Sequence, residues 1–205
     1  MEVVKRKLTE ENLKLELNYL KSQISPHFLF NSLNNLYSIA LKNDDKETAS
    51  GLSKLSTLMR FMLDKSNKTT VKLDEEIEYL KSYVEMQKLR FLESDNINIS
   101  FIVIGKTNHF NLPPFLLINF VENAFKHGVN YKTSSEINIK ITIDENKLLF
   151  TIDNTNHDIK KSGTDTKVGL KNVKKRLDLI YGTDYDLIIK SESKKYIVEL
   201  TIQNL

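Results

Sequence analysis

Cysteine is absent from the 205 residues, which excludes a disulfide framework and any thiolate-held metal site. Long hydrophobic runs are missing too: none approaches the ~20 apolar residues that a bilayer-spanning helix needs. The amino-terminal stretch MEVVKRKLTEENLK is too charged to contain the apolar core of a signal peptide. Charge of one sign is scarce, and a formal net charge of +3 does not argue for direct nucleic-acid binding. Forty per cent hydrophobic and 28% charged residues describe an ordinary globular chain, long enough for one sizeable domain or two small ones. The expected location is cytoplasmic for the chain as given, with room for a membrane anchor in an upstream region.

Proline is also rare, and each proline punctuates a helical pattern. Before Pro26 the apolar positions Leu13, Leu17, Leu20 and Ile24 form a packing seam; after it the seam is Leu29, Leu33, Leu36 and Ala40. The step from Ile24 to Leu29 rotates the buried face by about 140° at roughly 100° per residue. Pro26 therefore kinks or restarts the helix, with Ser25 as its cap. His27, Asn31, Asn34 and Ser38 form a polar stripe opposite the new seam. A histidine beside a helix N-terminus offers a ring nitrogen lone pair suited to nucleophilic attack.

Asn43, Asp44 and Asp45 make a turn, with Asp44 and Glu47 spaced as a capping box, before a helix bearing Leu52, Leu55, Leu58, Met59 and Met62. Two antiparallel helices bury too little alone, so a four-helix bundle from two copies, a homodimer, is expected. After a polar linker at residues 66–70, Asp74, Glu75 and Glu76 place acids in the first turn of a helix carrying Leu73, Ile77, Leu80 and Val84. INISFIVIG then alternates as a strand. Pro113 and Pro114 are read as opening the helix LPPFLLINFVENAFKHG, closed by Gly128. A hairpin at 137–153, a polar loop at 154–168, a helix from Gly169 with Leu170, Val173, Leu177 and Ile180 inward, and two last strands complete the chain. The fold class is α+β: residues 1–70 a helical hairpin, residues 71–205 a mixed sheet covered by helices on one face.

On the helix after Pro114, Leu117, Val121 and Ala124 form the seam, while Asn119, Asn123 and Lys126 line another side with Glu122 and His127 at its margins. Amide and carboxylate oxygens suit a Mg²⁺ shared with substrate phosphates, and a lysine suits the phosphates themselves. Asp153 is read as ending a buried strand, where a carboxylate can accept from an adenine amino group. Gly169 is read as opening a helix whose free N–H groups can receive phosphates, flanked by Lys167 and Lys171.

Together, QISPHFLFNSLNN, LPPFLLINFVENAFKHG, the Asp153 strand and VGLKNVKKRLDLIYG resemble the cytoplasmic half of LytS-type sensor histidine kinases, from about Leu13 to the end. The resemblance implies a dimerisation and phosphoacceptor hairpin followed by an ATP-binding domain of the fold shared by gyrase, the Hsp90 chaperone, histidine kinases and the MutL repair protein. It implies His27 as phosphoacceptor, Asn123 as Mg²⁺ ligand, Asn119 and Glu122 supporting the metal and its waters, Lys126 facing the phosphates and Asp153 reading adenine. His127 is counted with the nucleotide-binding residues, and Gly169, Leu170 and Asn172 with the lid hinge and its helix. Asn31, one turn beyond His27, is the candidate for holding the ring. The implied activity is ATP-dependent autophosphorylation followed by transfer to an aspartate of a response regulator, often one with a DNA-binding output domain. Two positions depart from the family pattern: Thr155 stands where a glycine is usual, and Lys167 replaces the first glycine of Gly-x-Gly. The alternative reading is a dimeric scaffold or phosphotransfer module that does not bind ATP.

Overall fold

The computed structural model describes residues 26–107, 110–144, 146–157 and 164–203. The seam at Leu13 to Ile24 lies outside them. The chain divides into two compact units, residues 1–63 and 64–205.

The first unit holds α1 (Pro26–Lys42) and most of α2 (Lys46–Lys65). Leu33, Ala40, Ala49, Leu58 and Phe61 are buried in it, and Arg60 lies over the Phe30 ring, 5.4 Å from its centroid. Two helices cover only a narrow strip of each other, so Leu36, expected in the seam, is half exposed, as are Ile39, Leu41 and Met62. The cap differs from expectation by one residue. Asp44 adopts a left-handed backbone, φ 56°, that completes the turn, and Asp45 accepts from the Thr48 amide at 2.9 Å and its hydroxyl at 2.6 Å.

The second unit begins with β1 (Val71–Lys72) and α3 (Leu73–Lys88). It continues through β2 (Ile97–Ile104), β3 (Asn111–Leu112), α4 (Ile118–Gly128), β4 (Ser135–Asp144) and β5 (Lys147–Thr155). α5 (Thr164–Tyr181), β6 (Tyr185–Ser191) and β7 (Lys195–Gln203) complete it. The main sheet runs β2-β4-β5-β7-β6, parallel only between β2 and β4; β1 and β3 form a separate antiparallel pair. Strand alternation sends Ile137, Ile139, Ile141, Leu148, Phe150 and Ile152 to a helix-covered face, where Phe120 meets Phe150 at 5.8 Å between ring centroids. The opposite face carries Asn138, Lys140, Thr151 and Asp153, half-buried or exposed. Gly105 closes β2 at φ 101°, and a Cβ there would stand 2.2 Å from the Ile143 carbonyl oxygen, so only glycine fits.

Three local expectations change. The helix foreseen at Pro113 begins at Ile118, because the backbone first turns at Phe115, φ 60°. The helix foreseen at Gly169 begins at Thr164, since nothing between those residues breaks a helix. Ile180 is half exposed, the buried stripe of α5 narrowing to Val173 and Leu177.

Candidate functional site

His27 sits exposed in the first turn of α1, with Asn31, Asn34 and Ser38 exposed along the same side. The Asn31 amide nitrogen lies 3.2 Å from Nδ1 of the ring and 3.4 Å from Nε2. This pair needs only helix periodicity, since residues four apart are neighbours on a helix surface.

The second cluster is built around α4. Ile118, Phe120, Val121, Ala124, Phe125 and Gly128 are buried, which leaves Asn119, Asn123 and His127, each four residues apart, half-buried along one flank. Glu122 and Lys126 are exposed beside them, and partial desolvation pushes the Glu122 carboxyl above its ordinary range. Those two side chains border an open groove of about 360 Å³, together with Tyr83, Gln87, Arg90, Phe91 and Tyr131. Neither Asn119 nor Asn123 lines it.

The approach to α4 is held from another helix. Glu76 is completely buried, turned inward from the first turn of α3, where its Oε2 accepts from the Phe115 amide at 3.0 Å and its Oε1 from the Leu117 amide at 3.2 Å. Asn119 in turn donates its side-chain amide to the Phe115 carbonyl at 2.8 Å. Burial pushes the Glu76 carboxyl up to about 7, against the pull of the backbone N–H groups and of the Arg176 guanidinium. The sequence placed Glu76 only as one of three acids in a first turn; its spacing from Leu73 and Leu80 was the available sign that it falls on the buried side.

At the other end of α4, Gly128 packs against Asn154 so closely that a Cβ would stand 2.6 Å from the asparagine side chain. Asn154 is buried on the helix-covered face and donates to the Thr155 carbonyl at 2.8 Å. Asp153 neither ends its strand nor faces α4, because β5 continues to Thr155 and alternation turns residue 153 to the opposite face. There it accepts from Lys195 at 2.8 Å and from the Asn138 amide at 3.2 Å. The inward positions Leu148, Phe150 and Ile152 were the signal for Asn154, continued by two.

Gly169 lies inside α5, so the unpaired N–H groups of that helix belong to its first turn, ahead of the glycine. A Cβ on Gly169 would meet nothing within 4 Å. Leu170 is half-buried, and Lys171 and Asn172 are exposed. The phosphate-receiving role that rested on Gly169 opening the helix is therefore not supported by its position.

A sequence model described as histidine kinase matches residues 15–95. Sensor protein LytS of Staphylococcus saprophyticus is 29% identical over 201 residues, covering 91% of this chain and 33% of that protein. The sensor histidine kinase/phosphatase LytS of Staphylococcus aureus is 35% identical over 127 residues, 62% of this chain and 21% of its own. The chain is similar to LytS-type sensor histidine kinases. Sensor histidine kinase BtsS of Escherichia coli is similar over 94% of this chain and 33% of its own, at 29% identity. The chain thus spans about a third of the length of the first curated relatives it matches. A histidine kinase domain implies the use of ATP, typically with Mg²⁺. Among the described residues no helix is long and apolar enough to cross a membrane.

Proposed function

We propose that this chain is the core of a homodimeric sensor kinase that phosphorylates itself on His27 from Mg²⁺-bound ATP and passes the phosphoryl group to an aspartate of a response regulator. Residues 1–70 would be the acceptor hairpin and residues 71–205 the nucleotide-binding domain. The observation that carries the reading is the exposed His27 with the Asn31 amide 3.2 Å from its Nδ1. An asparagine can present either its oxygen or its NH₂ group to a ring. With the oxygen toward Nδ1–H, the lone pair stands on Nε2, which forms the new bond to the γ-phosphorus as the bridging P–O bond breaks and ADP leaves.

On α4, Asn119 and Asn123 offer neutral amide oxygens, the donor type that suits a Mg²⁺ already carried by phosphates. Asn123 would hold that ion, Asn119 and Glu122 its waters, and Lys126 would neutralise phosphate charge, so catalysis is mostly positioning and electrostatics. His127 lies on the flank of Asn119 and Asn123 and is assigned to the nucleotide's surroundings. Asn154, rather than Asp153, is the polar group on the helix side of the sheet and is our candidate for reading the base. Leu170 and Asn172 remain assigned to the lid helix. The half-exposed Leu36, Ile39, Leu41 and Met62 supply the apolar area that a second hairpin would cover.

The test is incubation with γ-labelled ATP and Mg²⁺. Acid-labile, alkali-stable label on the wild type, lost in both His27→Ala and Asn123→Ala, is expected. Label persisting in His27→Ala overturns the assignment. A wild-type chain that shows neither label nor a thermal shift with Mg-ATP is instead the ATP-free scaffold.

A further inference from the structure

One buried ionisable group has no part in the phosphoryl transfer above. Glu76 leaves α3 pointing into the unit and meets three successive backbone amides, those of Phe115, Leu116 and Leu117. These belong to the turn that leads into α4, where Phe115 is held in the left-handed region at φ 60°, a conformation a bulky residue rarely adopts. The Tyr79 ring stands edge-on to Phe115 at 5.5 Å between centroids. The Phe115 carbonyl receives the Asn119 side chain. Carboxylate, strained turn and asparagine are thus consecutive links. The amides that Glu76 receives precede Ile118, so an acceptor supplied by α3 fixes the turn that leads into α4 and with it the point where the helix starts.

We propose that Glu76 is a positioning residue for the nucleotide site: in its ionised form it fixes the Phe115 turn and through it the orientation of Asn119, so nucleotide affinity depends on its protonation. Protonation places a hydrogen on one oxygen, and that oxygen then confronts an amide donor with a donor of its own. The charged and titratable groups facing Glu76 are Arg176 of α5, which favours the carboxylate, and Tyr79 of its own helix, whose phenol is pushed up to about 12 by burial and stays neutral throughout. Glu122 of α4 acts on Tyr79 rather than on Glu76. The dependence therefore falls near neutrality, where Glu76 alone among this set titrates. This inference rests on the proposal that the second unit binds nucleotide.

Two measurements on the full chain keep the two ideas apart. In the first, the backbone amides of Phe115 and Leu117 and the Asn119 side-chain amide are followed by ¹⁵N-correlated NMR from pH 5.5 to 8.5 without nucleotide. They are expected to shift together with a midpoint near 7 in the wild type and to lose that titration in Glu76→Gln, while Glu76→Asp restores part of it. In the second, Mg-ADP affinity is measured by calorimetry over the same range. Wild-type affinity is expected to fall on acidification more steeply than protonation of the ADP phosphate alone requires, and Glu76→Gln to bind about tenfold more weakly with only the ligand's own pH dependence left, the scale of one charge-assisted hydrogen bond. Flat amide shifts in the wild type, or Glu76→Gln binding Mg-ADP with the wild-type affinity and pH profile, overturn the inference. Concerted amide titration with no Mg-ADP binding by the wild type overturns the nucleotide reading and with it the functional half of the inference, leaving the Glu76–Asn119 linkage established.

Discussion

His27 and Asn31 stand one helical turn apart on an exposed surface, and helix periodicity alone brings them together. Glu76 and Asn119 are also coupled, but the link runs through the Phe115 turn, across 39 positions of sequence, and is completely buried at its origin. The proposed acceptor region is therefore a local arrangement that tolerates change around it, whereas the α4 region depends on the packing of the whole second unit. A nucleophile needs access and correct ring orientation; a nucleotide site needs fixed dipoles in a water-poor setting, which only tertiary structure can supply.

The sharpest way to separate the two regions is His27→Ala. We expect complete loss of phosphohistidine label with Mg-ADP binding unchanged, read by autoradiography and calorimetry; a parallel loss of binding would break the division.

Acidity should distinguish them next. Glu76 has its folded value raised to about 7 from an ordinary 4.5, so between those values the folded chain binds more protons than the unfolded one. Its contribution to stability is full below the unfolded value and is lost as pH rises through about 7, an effect of at most ~3 kcal/mol. Urea unfolding followed by fluorescence between pH 5 and 8 checks this, and Glu76→Gln should flatten the slope. Stability and nucleotide affinity then move in opposite directions with pH, because protonation relieves a buried charge while it costs the Phe115 turn an acceptor.

Gly128→Ala probes packing without touching a charge. The added methyl would meet Asn154 at 2.6 Å, and overpacking of this kind destabilises by about 1–3 kcal/mol. The loss should appear in the unfolding of the second unit, with the hairpin's helical signal retained. Asp153→Ala should be the mildest change. It removes a half-exposed ion pair with Lys195, worth under ~1 kcal/mol, and should leave Mg-ADP affinity within about twofold. A large loss of affinity would restore Asp153 to the nucleotide site at the expense of Asn154.

Much of this was legible in the chain itself. The α4 seam at Leu117, Val121 and Ala124 and the flank at Asn119 and Asn123 follow from a period of 3.6, and the strands at 97–104 and 195–203 from alternation. Legibility failed where a non-local partner overrode a local signal. Pro113 and Pro114 promised an immediate helix start, but the three amides that follow are claimed by Glu76, and the helix waits until Ile118. Gly169 promised a break, but the residues before it already sustain a helix. Asp153 and Asn154 are adjacent, and a strand must send one to each face; the alternation of Leu148, Phe150 and Ile152 points to Asn154, but the polar letter two beyond Ile152 reads as the strand's end until its partner Gly128 is known.

What the sequence determined by itself is periodic: the exposed stripe bearing His27, the apolar faces of the helices and strands, and the motifs that carry the resemblance to LytS-type histidine kinases. What only the tertiary structure decided is partnership: that the inward Glu76 meets the Phe115 turn, that Asn154 packs against Gly128 of α4, and that Gly169 falls within a helix. The reason is physical. Periodicity is set by bonds within a segment, whereas the partner of a buried polar group is set by whichever distant segment can satisfy it, and leaving such a group unsatisfied costs more than a local preference gains.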